Sequence, residues 1–410
     1  MLPVRVICVI PLELSQHLLH QTPMFPDRPV FSFDSLIERR RAMGVMALAP
    51  LLTSLPWQAQ AQGSALRLVS HGELTGSSAS QYNPWIAAAQ AVFDRANKSG
   101  GVGGRPIELI KRDTGGKPKL AEEMTRKSLT EDNPLAFFGF GGGLVVEAVL
   151  PLLGEARVPM LATFSGSDEL RGVTPYMFHI RPGFKAEVVA IVRQMKSMGL
   201  SKVAVAVSNR HIGKNGMEQI EAMRAGSGID WTFQPFKTDG SDMAIAAQSL
   251  AKVNAQALLV LAPAGPGVAL IQAVQKAGYQ GQIYGLSVLS AANLYKELGA
   301  NSRGITLTQA NPLPNSKVPF VRDDFNKLMA VAGITNPQVE HVEGYIAARV
   351  MLEALRRAGP GVDRDSLVKA LEGLRNFDLG GYVVDFGPGR REGSQQVFIT
   401  MISTDGRLVA

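Results

Sequence analysis

Three consecutive glycines, Gly141, Gly142 and Gly143, are the part of this sequence best suited to bind an anion. They follow a short apolar run at residues 135–138 and precede residues 144–153, where apolar side chains recur at helical spacing. A helix that begins directly after glycines presents free backbone N–H groups and the positive end of its dipole, which suits a carboxylate. A second polar loop, at residues 163–167, carries hydroxyl groups and follows another apolar run.

The elements that must position these two loops form one strand–helix–strand unit. Both apolar runs are typical of buried parallel strands, and the carboxyl ends of neighbouring parallel strands lie at the same edge of a sheet. Open α/β sheets bind their ligands at that edge. The pattern therefore predicts a cradle for a small molecule; the alternative is that the glycines only allow tight packing of helix on strand.

No set of side chains in the sequence is typical of catalysis or of metal binding. Residues 139–143 lack the G-x-G-x-x-G spacing of a dinucleotide site, and Ser165 lies in no G-x-S-x-G motif. The histidines at positions 71, 179, 211 and 341 lack metal-ligand spacing, and we expect them at the surface or at the rim of a cleft. We predict a protein that is not an enzyme, without a cofactor or a bound metal.

Strand and helix patterns alternate from residue 66 to residue 285. Two successive sets of βα units, each about the size of a domain, predict an α/β fold with two doubly wound parallel-sheet lobes. The last third of the chain has too few strand patterns for a third lobe. We therefore expect it to be shared between the two lobes, with the chain crossing between them more than once.

Composition narrows the class of partner. The chain has 410 residues, 46% of them hydrophobic and 19% charged, with a formal net charge of +7. The basic residues form no block longer than Arg39-Arg40-Arg41, and no aromatic–basic pattern accompanies them, so nucleic-acid binding is not expected.

The N-terminal 61 residues contain the pattern of a secretory signal peptide. The three arginines precede an apolar stretch at residues 42–55, and Ala59-Gln60-Ala61 forms an A-x-A cleavage site. We expect export to the periplasm with cleavage near Ala61, by the general or the twin-arginine route. Residues 1–38 precede this signal, which is explained either by a true start at Met24 or later, or by a function of the extension itself.

Four segments in order carry a family resemblance: LVSHGELTG, AVFDRANKSGGVGGRPIELIKRDTGGKP, FFGFGGG with LPLLGEARVPMLATFSGS, and GGYVVDFGPGRREGSQQVFITMISTDGRLV. In these segments the chain resembles the branched-chain amino-acid (Leu/Ile/Val) binding proteins, which are solute-binding subunits of ABC importers with the type I periplasmic-binding fold. The resemblance implies a monomer that closes on a small carboxylate-bearing ligand and delivers it to permease and ATPase subunits. A ligand-sensing regulator on the same fold is the alternative.

The same resemblance implies a domain organisation. Three crossings between the lobes are expected near residues 180–183, 307–311 and 376–380. The predicted segments are residues 1–61 for the extension and signal peptide, 62–180 with 312–376 for the N-terminal lobe, and 181–311 with 377–410 for the C-terminal lobe.

The resemblance also implies which residues bind the ligand. Loops of the N-terminal lobe are expected to hold its carboxylate, and loops of the C-terminal lobe to complete the site. The residues at the matching positions are Gly141, Gly142, Gly143, Phe164, Ser165, Gly166, Tyr82, Ile212 and Ser287. Glu340, at a predicted helix start, is added as a candidate source of negative charge in the site.

Ser287 is the position that departs most from the family pattern, because amino-acid-binding relatives place an acidic residue close to it. A buried ammonium without a partner is strongly disfavoured. We therefore expect a ligand without an α-ammonium, such as an organic or aromatic acid or an amide. The alternative is an amino acid whose ammonium pairs with Glu340 or Glu343.

Overall fold

The computed structural model describes residues 64–76 and 78–410, so the predicted signal peptide lies outside the described residues. Five parallel strands form the first sheet, in the order β2-β1-β3-β4-β5. Its central strands are wholly buried, as expected of a sheet covered on both faces by helices. The strands are β1 (Leu66–Gly72), β2 (Ile107–Asp113), β3 (Ala136–Phe138), β4 (Met160–Leu161) and β5 (Met177–Phe178).

The second sheet has seven strands in the order β14-β13-β10-β9-β8-β6-β7. Five of them are parallel, and the last two strands of the chain add an antiparallel edge beside β10. A separate two-stranded antiparallel ribbon is formed by β11 (Phe377–Asp378) and β12 (Val383–Val384). The sheet strands are β6 (Lys202–Ser208), β7 (Asp230–Phe236), β8 (Ala257–Leu261), β9 (Gln282–Gly285), β10 (Thr306–Gln309), β13 (Phe398–Ile402) and β14 (Leu408–Val409).

Helices cover both sheets, and among those of the described residues none combines the length and apolar character needed to cross a membrane. The α-helices are α1 (Ala79–Lys98), α2 (Pro118–Glu131), α3 (Gly143–Ala156), α4 (Phe184–Ser197), α5 (His211–Ser227), α6 (Met243–Lys252), α7 (Ala264–Lys276), α8 (Ala291–Leu298), α9 (Asn326–Val331), α10 (Val339–Ala358) and α11 (Arg364–Glu372). Short helical turns occupy Asp168–Leu170, Gly299–Ser302 and Val321–Phe325.

The first lobe consists of the first sheet with α1 to α3 and the late helices α9 to α11, whose buried residues share one core with α1 and β1. The contact between α1 and α10 depends on Gly344, because a Cβ there would lie 1.9 Å from the carbonyl oxygen of Trp85. The second lobe consists of the second sheet with α4 to α8. The predicted α/β fold with two parallel-sheet lobes is confirmed.

The chain passes between the sheets at the end of β5 and again after β10. Further along, Tyr382 and Phe386 still lie in the core of the first lobe, and the Tyr382 hydroxyl donates to the carbonyl of Ala310 over 3.2 Å. Val397 is the next core residue, and it packs against α4 of the second lobe. We therefore propose that the third crossing lies between Phe386 and Val397 rather than at the predicted residues 376–380.

Candidate functional site

The glycine loop lies at the carboxyl edge of the first sheet, where its first amides are already engaged. The Gly141 N–H donates to the carbonyl of His71 over 3.0 Å, and the Gly142 N–H faces the carbonyl of Phe164 at 3.4 Å. Gly142 has a φ of 85°, a conformation that favours glycine, and α3 begins at Gly143. Since the first amides of a helix have no partner within it, the amides open to an anion begin at Gly143.

Ser165 stands beside the start of α3. A Cβ at position 143 would lie 3.4 Å from the Ser165 hydroxyl oxygen. That oxygen accepts a hydrogen bond from the Ser167 amide over 3.2 Å, which leaves the hydroxyl proton free to be donated. The Gly143 amide and the Ser165 hydroxyl are therefore two neutral donors beside the start of α3, and we call this pair the cradle.

His71, whose carbonyl accepts the hydrogen bond from Gly141, is fully buried, whereas the sequence predicted it at the surface or at the rim of a cleft. Its two ring nitrogens lie 3.0 Å from the Thr125 hydroxyl and 3.2 Å from the Ser128 hydroxyl. Burial, with a contribution from Arg112, lowers the pKa of His71 to about 3, so the ring is neutral. His179 is also buried, at 1% exposure. A hydroxyl and a carbonyl group inside the lobe lie within hydrogen-bonding distance of its two ring nitrogens.

Phe164 is the part-exposed aromatic ring of the site. The rings of Tyr82 and Phe164 meet edge to face, with centroids 6.1 Å apart, and the guanidinium of Arg181 lies 5.3 Å from the Phe164 centroid. Gly166, two residues later, accepts a hydrogen bond from the Phe184 amide over 2.8 Å. The loop after β4 is thereby joined to the first residue of α4 in the second lobe.

Tyr82 and Ile212 take positions that the sequence did not predict. Tyr82 was expected in a loop, but α1 begins at Ala79 and places the side chain inside the core at 1% exposure. Its hydroxyl donates to the carbonyl of Gly139 over 2.8 Å. Ile212 lies in the core of the second lobe. Its neighbour His211 is the residue that contacts the first lobe.

Arg181, in the first crossing, is the charged residue at the centre of the site. Its side chain is only 9% exposed. One terminal nitrogen, Nη2, donates to the Ser287 hydroxyl over 2.9 Å. The Nε is buried without a hydrogen-bond partner and lies 3.7 Å from a carboxylate oxygen of Glu343.

Ser287 also contacts a buried acid, Glu187 from the first turn of α4. The Ser287 amide and hydroxyl donate to the Glu187 carboxylate over 2.8 and 2.7 Å, and the Thr308 hydroxyl donates to the same group. The sequence predicted no acid near Ser287, yet the fold brings one there from a different element. Glu187 is completely buried, and its oxygens are satisfied by these neutral donors.

Glu340 and Glu343 approach from the first turns of α10. Burial, together with the neighbouring charge of Glu343, raises the pKa of Glu340 to about 7, against the lowering effects of its own backbone hydrogen bond, of Gln81 and of Arg181. Burial also raises the pKa of Glu343, which Arg181 lowers and Glu187 raises. We call Arg181, Glu187, Ser287, Glu340 and Glu343 the interlobe charge cluster.

The two lobes also touch on either side of this cluster. On one side Glu169 of the first lobe lies 3.2 Å from His211 Nδ1 and accepts a hydrogen bond from the Asn215 side chain. On the other side the Ser80 hydroxyl donates to the Asn293 side chain over 3.5 Å. The two lobes are therefore in contact on both sides of the interlobe charge cluster.

Of the predicted residues, Phe164 and Ser287 both contact Arg181, whose charge also acts on Glu340, and Ser165 follows Phe164 in the chain. Tyr82 and Ile212 instead lie in the cores of the first and the second lobe. Sequence reasoning missed Arg181 and Glu187. Both carried a signal, since each is a charged residue in a segment whose neighbours are apolar: Arg181 follows Ile180, and Glu187 lies between Ala186 and Val188.

Comparisons with known proteins fit this geometry. Residues 70–407 match a family model described as "Periplasmic binding protein". The chain is 26% identical over 306 residues to Leu/Ile/Val-binding protein homolog 3 of Brucella melitensis biotype 1, a match that covers 73% of this chain and 80% of that protein.

Two solved structures are similar over almost their whole length. An extracellular ligand-binding receptor from Verminephrobacter eiseniae has 30% identity and a TM-score of 0.77, over 84% of this chain and 100% of that one. A substrate-binding periplasmic protein from Ralstonia solanacearum has 27% identity and a TM-score of 0.75, over 84% of this chain and 99% of that one.

Proposed function

Because the chain belongs to the periplasmic binding protein family, we propose that it is the solute-binding subunit of an ABC importer. In this proposal it captures a small carboxylate-bearing ligand between its lobes and delivers it to a permease. The observation that carries the proposal is the position of Arg181, which contacts Phe164 of the first lobe and Ser287 of the second. A ligand beside Arg181 touches both lobes and stabilises the closed arrangement.

The ligand carboxylate is assigned to the cradle at the start of α3. The Gly143 amide and the Ser165 hydroxyl supply neutral donors, and the helix dipole adds a favourable field. Relatives carry names such as Leu/Ile/Val-binding protein homolog 3, which supports a ligand of amino-acid size. Catalysis has no part in this role.

Closure converts binding into a signal for the permease. A ligand shifts an equilibrium between open and closed forms only by its differential contacts with the two, and a cleft ligand makes most of these in the closed form. The contacts of Glu169 with His211 and Asn215 form only when the lobes meet, so they help to hold the closed form that docks on the permease.

Export to the periplasm completes the proposal. Family membership supports this location, and the predicted cleavage after Ala61 gives it a direct check. Mass spectrometry of the protein from a periplasmic extract is expected to find Gln62 at the mature N-terminus. A mature chain that retains residues 1–61 contradicts the predicted signal peptide.

A thermal-shift screen tests the binding function. The panel contains amino acids, aliphatic and aromatic carboxylates, and amides. A compound at about 100 times its dissociation constant stabilises the folded protein by about 2.7 kcal/mol, which raises the melting temperature by several degrees. An unchanged melting temperature across the whole panel contradicts capture of a small carboxylate.

Two serine variants locate the binding site. Ser165→Ala removes the donor of the cradle and is expected to weaken binding of the best panel compound about tenfold, since a hydrogen bond to a charged group is lost. Ser99→Ala, at an exposed position after α1, serves as the matched control and is expected to bind like the wild type. Equal affinities for the three proteins place the carboxylate elsewhere.

A further inference from the structure

A pocket of about 660 Å³ lies at the amino edge of the first sheet, at the opposite end of the strands from the interlobe cleft. Residues at the starts of β1 and β3, the end of α3 and the start of α11 line it. Since β1 has seven residues, its two ends are about 20 Å apart. A molecule in this pocket, which we call the amino-edge pocket, is therefore separate from a ligand in the cleft.

The charged side chains of the amino-edge pocket are mostly positive. Two aspartates accompany four arginines, which are Arg67, Arg105, Arg157 and Arg364. Arg67 lies 3.3 Å from Glu108, and Arg157 lies 3.5 Å from Asp365. The other aspartate, Asp363, accepts hydrogen bonds from the amide and hydroxyl of Ser366 at the start of α11.

Arg364 is held in place without a counter-charge. Its Nε and Nη1 donate to the carbonyls of Pro134 and Ala156 over 3.0 and 3.2 Å, and its Nη2 donates to the Asn133 side chain over 3.0 Å. These oxygens fix the orientation of the guanidinium but carry no net charge. Burial lowers the pKa of Arg364, as expected of a cation that has no anion beside it.

Arg105 has the same kind of environment. Its Nε donates to the carbonyl of Ser64 over 2.7 Å, its Nη1 to the carbonyl of Pro360 over 3.4 Å, and its Nη2 to the Ser64 hydroxyl over 3.5 Å. Among the described residues, no carboxylate lies within ion-pair distance of Arg105 or Arg364. A guanidinium has five N–H groups, so each of the two keeps two donors that no described residue accepts.

Arg157 lines the pocket from a backbone conformation that favours glycine. It follows the last residue of α3 with a φ of 51° and a ψ of 42°, in the left-handed region. Helices commonly end on a glycine in this conformation, because a side chain there is strained. An arginine at such a position is an outlier of the kind that accompanies functional sites.

We propose that the amino-edge pocket is a second ligand site, which binds a phosphate group between Arg105 and Arg364. Guanidinium forks match the oxygens of a phosphate, and two forks with two donors each suit its several oxygens better than the two of a carboxylate. The group belongs to a small phosphorylated molecule or to the headgroup of an anionic phospholipid, which present the same chemistry. The inference does not depend on the proposed importer function.

Three probes test the site and separate the two sources of phosphate. Inorganic phosphate and glycerol 3-phosphate are titrated into the protein by calorimetry, and vesicles of phosphatidylglycerol mixed with phosphatidylcholine are sedimented with it, against phosphatidylcholine alone. Binding of either soluble probe supports a small phosphorylated ligand, and binding of the anionic vesicles alone supports a lipid headgroup. If none of the three probes binds, the inference is overturned.

Charge-removing variants locate the bound phosphate. Arg105→Gln and Arg364→Gln are each expected to weaken binding of the best probe about tenfold or more, because charge-assisted hydrogen bonds are lost. Arg356→Gln, at an exposed position in the last turn of α10 and outside the pocket, is the matched control and should bind like the wild type. Equal losses in Arg356→Gln and Arg105→Gln overturn the inference, since net charge rather than the pocket then holds the probe.

Arg157→Gly separates binding from folding, because Arg364→Gln also removes three hydrogen bonds inside the lobe. Glycine accepts the left-handed conformation without strain, so this variant should melt at or above the wild-type temperature. It should nevertheless bind the best probe several-fold more weakly. Wild-type affinity for the probe in both Arg105→Gln and Arg157→Gly overturns the inference.

Discussion

Replacing Glu340 by glutamine should make the ligand-free protein more stable at neutral and alkaline pH. Burial raises the pKa of this carboxyl from 4.5 to about 7, so the folded protein binds a proton there that the unfolded chain releases. Stability is lost as the pH rises through this interval, because the folded state binds more protons than the unfolded state. The glutamine side chain has nearly the same shape and cannot ionise.

The magnitude follows from the two pKa values. A rise from 4.5 to about 7 corresponds to an upper limit of about 3 kcal/mol at pH 8. Partial exposure of the side chain to water lowers the figure, so we expect a gain of about 1 to 3 kcal/mol for Glu340→Gln. At pH 4.5 the wild-type carboxyl is protonated, and the two proteins should unfold at nearly the same temperature.

Thermal unfolding followed by circular dichroism at pH 4.5, 6.5 and 8 measures this difference. The variant should melt a few degrees above the wild type at pH 8, and the gap should close as the pH falls. Glu123→Gln controls for the loss of one charge at the surface. A variant that is less stable than the wild type at pH 8, or equally stable at every pH, refutes the burial of an uncompensated carboxyl at this position.

Three further substitutions test the closed cleft, the helix packing and the carboxylate cradle. Asn215→Ala removes a hydrogen bond to Glu169 between the two lobes. It should weaken binding of the best panel compound about fivefold through faster dissociation. An unchanged dissociation rate would mean that this contact does not hold the lobes together. Gly344→Ala forces a methyl group against the Trp85 carbonyl and should cost about 3 kcal/mol or more in urea unfolding, whereas wild-type stability would contradict the close approach of α1 and α10. Gly143→Ser meets only ordinary contacts, so it should fold normally and bind carboxylates more tightly through the added hydroxyl, and weaker binding would argue against the cradle.

Much of the fold was predictable because it depends on local patterns. The apolar runs that form β3, β6 and β8 and the glycine turns between them predicted two parallel-sheet lobes. The start of α1 is harder to predict from a local pattern, because Pro84 lies inside the helix rather than before it. In the structure the Ser78 carbonyl accepts hydrogen bonds from the Gln81 and Tyr82 amides, so the helix already exists before the proline.

The site depended on tertiary placement that no local pattern encodes. Sequence reasoning placed Phe164 and Ser165 in a loop at the sheet edge, which the structure confirms as their position. It missed the contact between Glu187 on α4 and Ser287, because the two residues are 100 positions apart in the chain. Arg181 lies in the segment where the first crossing was expected, but its contacts with both lobes depend on how the lobes meet.

A distance measurement across the cleft tests the central claim that this protein closes on its ligand. Residues 62–410 contain no cysteine, so spin labels can be attached to cysteines introduced at exposed positions in each lobe, Leu144 on α3 and Lys214 on α5. Double electron–electron resonance then compares the protein with and without the panel compound that raises its melting temperature most. We expect a shorter and narrower distance distribution with the compound bound; an unchanged distribution at saturation contradicts capture by closure of the two lobes.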